Sequence, residues 1–235
     1  VPKRDSMKID ILAVGVHPDD VELSASGALL RHIAQGKTVG LLDLTRGELG
    51  TRGSAEIRDR EAAEAARLMG AVFRKNTGLE DGFFAYSKEA LLKIIHIIRL
   101  HQPDLVLANA LDDRHPDHGR AAKLVADACF YSGLAKVITT DEQGRPQARW
   151  RPQAVYHYIQ DRNLKPDFVV DISPWMEKKI ELVKTFRSQF YDPNAQDQYA
   201  GELSTPISGA DFIDFLYAKA RAYGRGAGFD FAEGF

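Results

Sequence analysis

A single cysteine, Cys129, stands in 235 residues, which excludes an internal disulfide. Set inside an apolar pattern, that thiol reads as a small core side chain. An excess of one charge is missing as well: Lys and Arg number 31 against 33 for Asp and Glu, a formal net charge of -2 that draws no polyanion. Neither a nucleic-acid partner nor a membrane surface is therefore expected. Long apolar runs are absent too; Ile9 to Val16 is too short to cross a bilayer, and nothing resembles a signal peptide. The expected compartment is the cytoplasm. No internal repeat, and no linker rich in proline, glycine or serine, divides the chain. The expectation is one domain over residues 7–235 with a carboxy-terminal extension. Residues 1–6 lack periodicity and read as a frayed or vector-derived terminus.

What is there suits a soluble globular protein: 44% hydrophobic and 27% charged residues, in a chain long enough to bury one large core. Ile9 to Val16 is apolar nearly throughout, as a strand covered on both faces would be. An amphipathic helix is expected from about Val21 to Gln35, stopped by Gly36, then a strand from Thr38 to Leu44. A glycine-rich loop, Thr45 to Gly53, leads to Ser54, an N-cap for a helix ending near Met69 with Gly70 behind it. A strand around Ala71 to Arg74, a helix from Lys88 to His101, a strand from Leu105 to Ala110 and a helix from Asp117 to Tyr131 continue the alternation. Beyond a polar segment from Thr139 to Arg149 the pattern loosens, with strands over Ala154 to Ile159 and Asp167 to Ile172. Helices are expected near Trp175 to Gln189 and Ala210 to Tyr223. This βαβ alternation predicts a Rossmann-like, mostly parallel α/β sheet with helices on both faces. Ligands bind such sheets at the carboxyl ends of the strands, where strand order reverses.

Two nearly rhyming stretches fall at strand ends: His17-Pro18-Asp19-Asp20 and His115-Pro116-Asp117-His118. Proline after histidine suits the first helical position, so both histidines should sit at strand-to-helix corners. His17 and Asp20 are then three residues apart on one face, as are His115 and His118. Two neighbouring corners thus aim four groups at one spot, and about three protein ligands suffice for a catalytic zinc with a water in the open position. Taking His17, Asp20 and His118 as ligands leaves tasks for the others. Asp19 would be a general base, His115 an electrophile or acid for a developing oxyanion, and Asp117 the carboxylate fixing the His115 tautomer. Asp113 adds an acid to the second corner. Two histidines and a carboxylate also suit iron(II), and Asp/His clusters on α/β sheets serve phosphoesterases. The ligand count fills one metal position rather than two. A closed structural zinc site would leave Asp19 and His115 without a task.

These residues resemble a known family. Val16-His17-Pro18-Asp19-Asp20-Val21-Glu22, Thr45-Arg46-Gly47-Glu48 and Asp113-Arg114-His115-Pro116-Asp117-His118 look like the LmbE-like (GlcNAc-PI de-N-acetylase) zinc deacetylases, along nearly the whole chain. Leu44 to Arg60, Asp81-Gly82-Phe83, Tyr156-His157-Tyr158-Ile159, Ser188-Gln189-Phe190 and Ala232-Glu233-Gly234-Phe235 are similar to the bacillithiol-pathway branch, which deacetylates N-acetylglucosaminyl-malate. The resemblance implies zinc on His17, Asp20 and His118, Asp19 as base, and His115 with Asp117 at the oxyanion. It further implies that Arg58 and Asp81 contact sugar hydroxyls, that Arg151 lines the pocket, and that the protein is a homo-oligomer. Inositol-linked and chitooligosaccharide substrates share the reacting group. The malate carboxylates would want cations, for which Arg46, Arg52, Arg114 and Arg151 are candidates. Where some relatives carry a tyrosine gate, this chain reads Gly209-Ala210-Asp211-Phe212.

Overall fold

Strand β1 (Ile11–Gly15) is buried along its whole length, and its alternating side chains found the two halves of the core. Leu12 and Val14 pack with Ile94, Ile98, Leu124 and Val125 on one face of the sheet. Ile11 and Ala13 pack with Leu29, Leu41 and Met69 on the other. In this computed structural model, which describes residues 7–191 and 201–235, the chain continues through α1 (Asp20–Ser24), α2 (Ser26–Ala34), β2 (Val39–Asp43), α3 (Ala55–Met69) and β3 (Phe73–Asn76). Then follow α4 (Lys88–His101), β4 (Leu105–Ala108), α5 (Pro116–Ser132) and β5 (Ala154–His157). The five strands form one parallel sheet in the order β3-β2-β1-β4-β5. The chain runs outward from β1 through β2 to β3, then crosses back to place β4 on the other side of β1. That reversal opens a crevice beyond the carboxyl ends of β1 and β4, where both histidine-containing corners lie.

The carboxy-terminal part adds β6 (Val169–Asp171), a 3₁₀ turn at Ser173–Trp175, α6 (Met176–Val183), α7 (Asp211–Arg225) and β7 (Ala232–Gly234). Strand β7 pairs antiparallel with β6, apart from the main sheet. A third apolar cluster, with Phe186, Phe190, Phe212 and Leu216, joins this part to α3. Cys129 is buried in the core, and burial pushes its thiol up to about 12. Among the described residues no helix is long and apolar enough to cross a membrane. The expectation for residues 1–6 lies outside the described residues.

Three differences from the sequence reading have local causes. The helix expected from Val21 to Gln35 is two helices, broken at Ala25 (φ -137°, ψ 0°). There the Ser26 hydroxyl donates to the Glu22 carbonyl at 2.6 Å, and the Glu233 carboxylate accepts from Gly27 N (3.0 Å) and Ala28 N (2.8 Å), giving α2 an anionic cap from far along the chain. The helix expected to reach Gln189 stops at Val183, because the Thr185 hydroxyl takes the Leu182 carbonyl at 2.6 Å and Phe186 turns into the third cluster. Strand β7 was not expected; its three residues, Ala-Glu-Gly, carry no strand pattern.

Candidate active site

The two corners differ in build. At the second, the chain follows the expected rule: Pro116 opens α5, His115 is its N-cap, and the His115 ring Nδ1 accepts from Asp117 N at 3.3 Å. Neutral His115 therefore carries its proton on Nε2. At the first corner the helix begins two residues after Pro18, at Asp20, and Asp19 between them has φ 126°, ψ -25°. Such a conformation costs a non-glycine residue of the order of 1–3 kcal/mol and persists only when its surroundings impose it.

The rings of His17, His115 and His118 surround one point, with centroids 4.7, 5.6 and 5.1 Å apart. Their nitrogens offer a set of possible cation ligands within 4.8 Å of one another. Asp20 reaches two of these rings: its Oδ2 is 3.8 Å from His17 Nδ1 and its Oδ1 is 3.2 Å from His118 Nε2. The opposite nitrogen of each ring has a carboxylate partner. His17 Nε2 meets Asp81 Oδ1 at 2.9 Å, and His118 Nδ1 meets Asp113 Oδ2 at 2.5 Å. Carboxylates on the far nitrogens fix the ring orientations and raise the basicity of the nitrogens that face Asp20. This donor set fits a divalent cation. It gathers Asp19, Asp20, Asp81, Asp113 and Asp117 around three imidazoles, with Arg58 and Arg120 as the nearby guanidinium partners.

The titration behaviour reflects the same excess of negative charge. Burial depresses the His17 pKa, but Asp117, Asp81 and Asp20 outweigh it and raise it to about 9. Burial likewise opposes a charge on His118, yet Asp20 and Asp113 bring it to about 10. His115 moves the other way, lowered by burial and by the charges on His17 and His118. Burial pushes Asp19 up to about 7, against the pull of Arg58. Asp20 is also desolvated, but His118 and His17 hold it well below the usual carboxylate range.

Several side chains have other partners than the sequence led us to expect. Asp117 faces His17 rather than fixing His115 through its carboxylate: Oδ2 lies 3.7 Å from His17 Nε2 and accepts from Gly82 N at 2.9 Å, while Oδ1 accepts from Arg120. It is the Asp117 backbone N–H that sets the His115 tautomer. Asp81 lines the cavity, but its oxygens go to His17 and to Leu49 N (3.0 Å). Arg58 is buried against Asp19, with Nη2 2.9 Å from Oδ2. Arg151 donates to the Phe130 carbonyl at 2.9 Å, with its guanidinium 4.3 Å from the Phe130 ring centre, and is not part of the cavity lining. Arg46 pairs with Asp59 and Glu56, and Arg52 donates to the Ser188 carbonyl; only Arg114 of the four candidate arginines lines the cavity, beside Asp161 at 3.2 Å. Phe212, in the stretch compared with a tyrosine gate, is part of the wall.

The sequence reading missed an amide pair and two lysines. Gln160 Nε2 donates to Asp20 Oδ1 at 3.0 Å and Asn109 Nδ2 to Asp20 Oδ2 at 2.9 Å, while Asn109 also donates to Gln160 Oε1. Asn109 follows directly on β4 and Gln160 lies three residues beyond the end of β5, and that placement near the carboxyl ends of the strands was the available signal. Lys179, paired with Glu233, and Lys219 also line the cavity, which encloses about 340 Å³. Burial lowers Lys219 to about 8, and its hydrogen bond to the Asp161 carbonyl is long, at 3.5 Å.

Residues 12–129 match the family described as PIG-L: GlcNAc-PI de-N-acetylase. The diacetylchitobiose deacetylase of Thermococcus kodakarensis is 28% identical over 235 residues, covering 95% of this chain and 81% of that protein. The 4-oxalmesaconate hydratase of Pseudomonas putida is 25% identical over 76% of this chain and 73% of its own. Among solved structures, the conserved protein TT1542 of Thermus thermophilus superposes with a TM-score of 0.82 at 35% identity, covering 97% of this chain and 93% of that one.

Proposed function

The chain belongs to the PIG-L (GlcNAc-PI de-N-acetylase) family and is an N-deacetylase, and from that premise we propose that it hydrolyses the acetamide of N-acetylglucosaminyl-malate with one zinc ion. The observation that carries the metal reading is the pairing of His17 with Asp81 and of His118 with Asp113, which leaves one nitrogen of each ring directed at Asp20. His17, Asp20 and His118 would hold the ion. When bound, it supplies Lewis acidity, which makes hydroxide available near neutral pH and polarises the acetyl carbonyl. Asp19, desolvated enough to accept a proton near pH 7, takes one from the attacking water. His115 offers Nε2–H to the carbonyl oxygen as charge develops, a contribution worth about 3 kcal/mol for a preorganised donor. Breaking the C–N bond releases acetate, and the amine leaves with the proton that Asp19 took from the water.

For the malate carboxylates, Arg114 remains from the arginines considered from the sequence, and Lys219 takes the place of Arg46, Arg52 and Arg151. Both line the cavity, and Lys219 stands among Phe212, Phe215, Leu216 and Tyr223, where an ammonium gains most from an anionic partner. The decisive experiment incubates the purified protein with malate, inositol and chitobiose conjugates of N-acetylglucosamine, measures free amine, and quantifies bound metal. Release from the malate conjugate is expected, with about one zinc per chain. Release only from another conjugate would reject the malate reading, and iron that loses activity on oxidation would reject zinc. Water addition without amine release, as the hydratase relative suggests, would reject the deacetylase reading itself.

A further inference from the structure

Arg58 reaches Asp19 from α3, and its Nη2 is given wholly to the first corner. Its Nη2 donates to the Pro18 carbonyl at 2.7 Å and to Asp19 Oδ2 at 2.9 Å, while Nη1 donates to the Gly47 carbonyl at 3.1 Å. The Pro18 carbonyl belongs to the peptide whose rotation sets φ of Asp19. Holding that oxygen therefore holds the unusual 126° conformation, and holding Oδ2 fixes the side chain that springs from it. We propose that Arg58, which also lines the cavity, is a positioning residue for Asp19, a two-point clamp on backbone and carboxylate. The proposal rests on the reading of Asp19 as the base.

The surroundings are built for this clamp. Arg58 is 5% exposed, and both Nη2 hydrogens are spent on Pro18 and Asp19. Its Nε is buried with no partner among the described residues, a cost accepted for the placement of the rest of the guanidinium. The loop opposite leaves the space: Gly47 has φ 65°, and a Cβ there would lie 1.9 Å from Arg58 Nη1. Asp19 Oδ1 makes no hydrogen bond among the described residues, and Asp19 lines the cavity, so the oxygen left to receive a proton is the one Arg58 does not hold. A lysine at position 58 has a single donor point and matches one of these acceptors rather than the set.

The test separates chemistry from binding. R58A is expected to lower kcat about 100-fold with KM changed less than about twofold, the signature of a misplaced group rather than a lost contact. R58K should recover about tenfold of that loss. G47A, which displaces the guanidinium without removing it, should reproduce the kcat defect. In a background where Asp19 is already replaced, calorimetry of the intact N-acetylated conjugate should give Kd values for D19A and D19A/R58A within about twofold of each other. A rise of about tenfold or more in KM or Kd would make Arg58 a sugar ligand and overturn the clamp. Loss of activity with a lowered melting temperature and no rescue in R58K would overturn it in favour of a purely structural role. A wild-type chain that turns over no conjugate at all would remove the deacetylase reading beneath it, an outcome distinct from either.

Discussion

At the scale of single residues, Asp19 combines three unfavourable conditions: a φ of 126°, burial in the cavity wall, and a carboxyl raised to about 7. A structure retains such a combination where function requires it. D19N keeps a partner for Arg58 and removes the proton acceptor. It is expected to lower kcat by about 10²–10⁴-fold while the folded protein and its metal content persist, measured by amine release, thermal melting and metal analysis. Unchanged turnover would reject Asp19 as the base. The spacing of His17 with Asp20 and of His115 with His118 was legible in the sequence because helix geometry fixes which residues share a face. The strain at Asp19 was not, since it is imposed by Arg58, which lies 39 residues away. Asn109 and Gln160 went unread for a similar reason: an amide becomes a positioning group only through the carboxylate it meets.

At the scale of elements, the segments with local punctuation were read well. Ser54 and Ser87 accept from Ile57 N and Ala90 N at the starts of α3 and α4, and Gly70 closes α3 with φ 86°. The break between α1 and α2 depends instead on Glu233, which also takes the Lys179 ammonium at 2.5 Å. E233A would leave that buried ammonium without its carboxylate and α2 without its cap. A loss of about 3–5 kcal/mol in urea unfolding is expected, and a loss below 1 kcal/mol would show the pair to be dispensable. His101, at the last turn of α4, stacks on Phe73 of β3 at 3.9 Å between ring centres, with Nδ1 on the Met7 carbonyl and Nε2 buried without a partner among the described residues. Burial lowers its pKa from 6.5 to about 4, so the native state binds fewer protons than the unfolded chain in that interval. The stability it contributes is full above pH 6.5 and is lost as pH falls towards 4. In H101F that part of the acid-induced decline in melting temperature should disappear; an unchanged pH profile would exclude His101 as its source.

At the scale of the whole molecule, the parallel sheet and the crevice beside β1 were predictable from βαβ alternation, because crossover handedness and strand-order reversal leave few places for a ligand. The part of the cavity wall that comes from α6, α7 and β7 was not, since it forms through tertiary contacts that no local pattern announces. Its lysine gives a test of substrate class. K219M should raise KM for the malate conjugate about tenfold, the value of one charge-assisted hydrogen bond, and leave neutral diacetylchitobiose within about twofold. Equal effects on both would exclude Lys219 as an anion contact. Chelation is expected to abolish activity and lower the melting temperature, and zinc at about 100 times its Kd should restore roughly 2.7 kcal/mol of stability. The Glu233 cap spans 206 residues of sequence to reach Gly27, beside the corner that carries Asp19 and Asp20. On the ribosome, the first corner is made early and its fastening late. A nascent chain that has not yet extended to Glu233 already contains the strands of the parallel sheet and both histidine motifs, yet lacks the anion that sets the break before α2. Maturation of the first corner is thereby tied to the synthesis of Glu233, so chains not yet extended that far carry its residues without its cap.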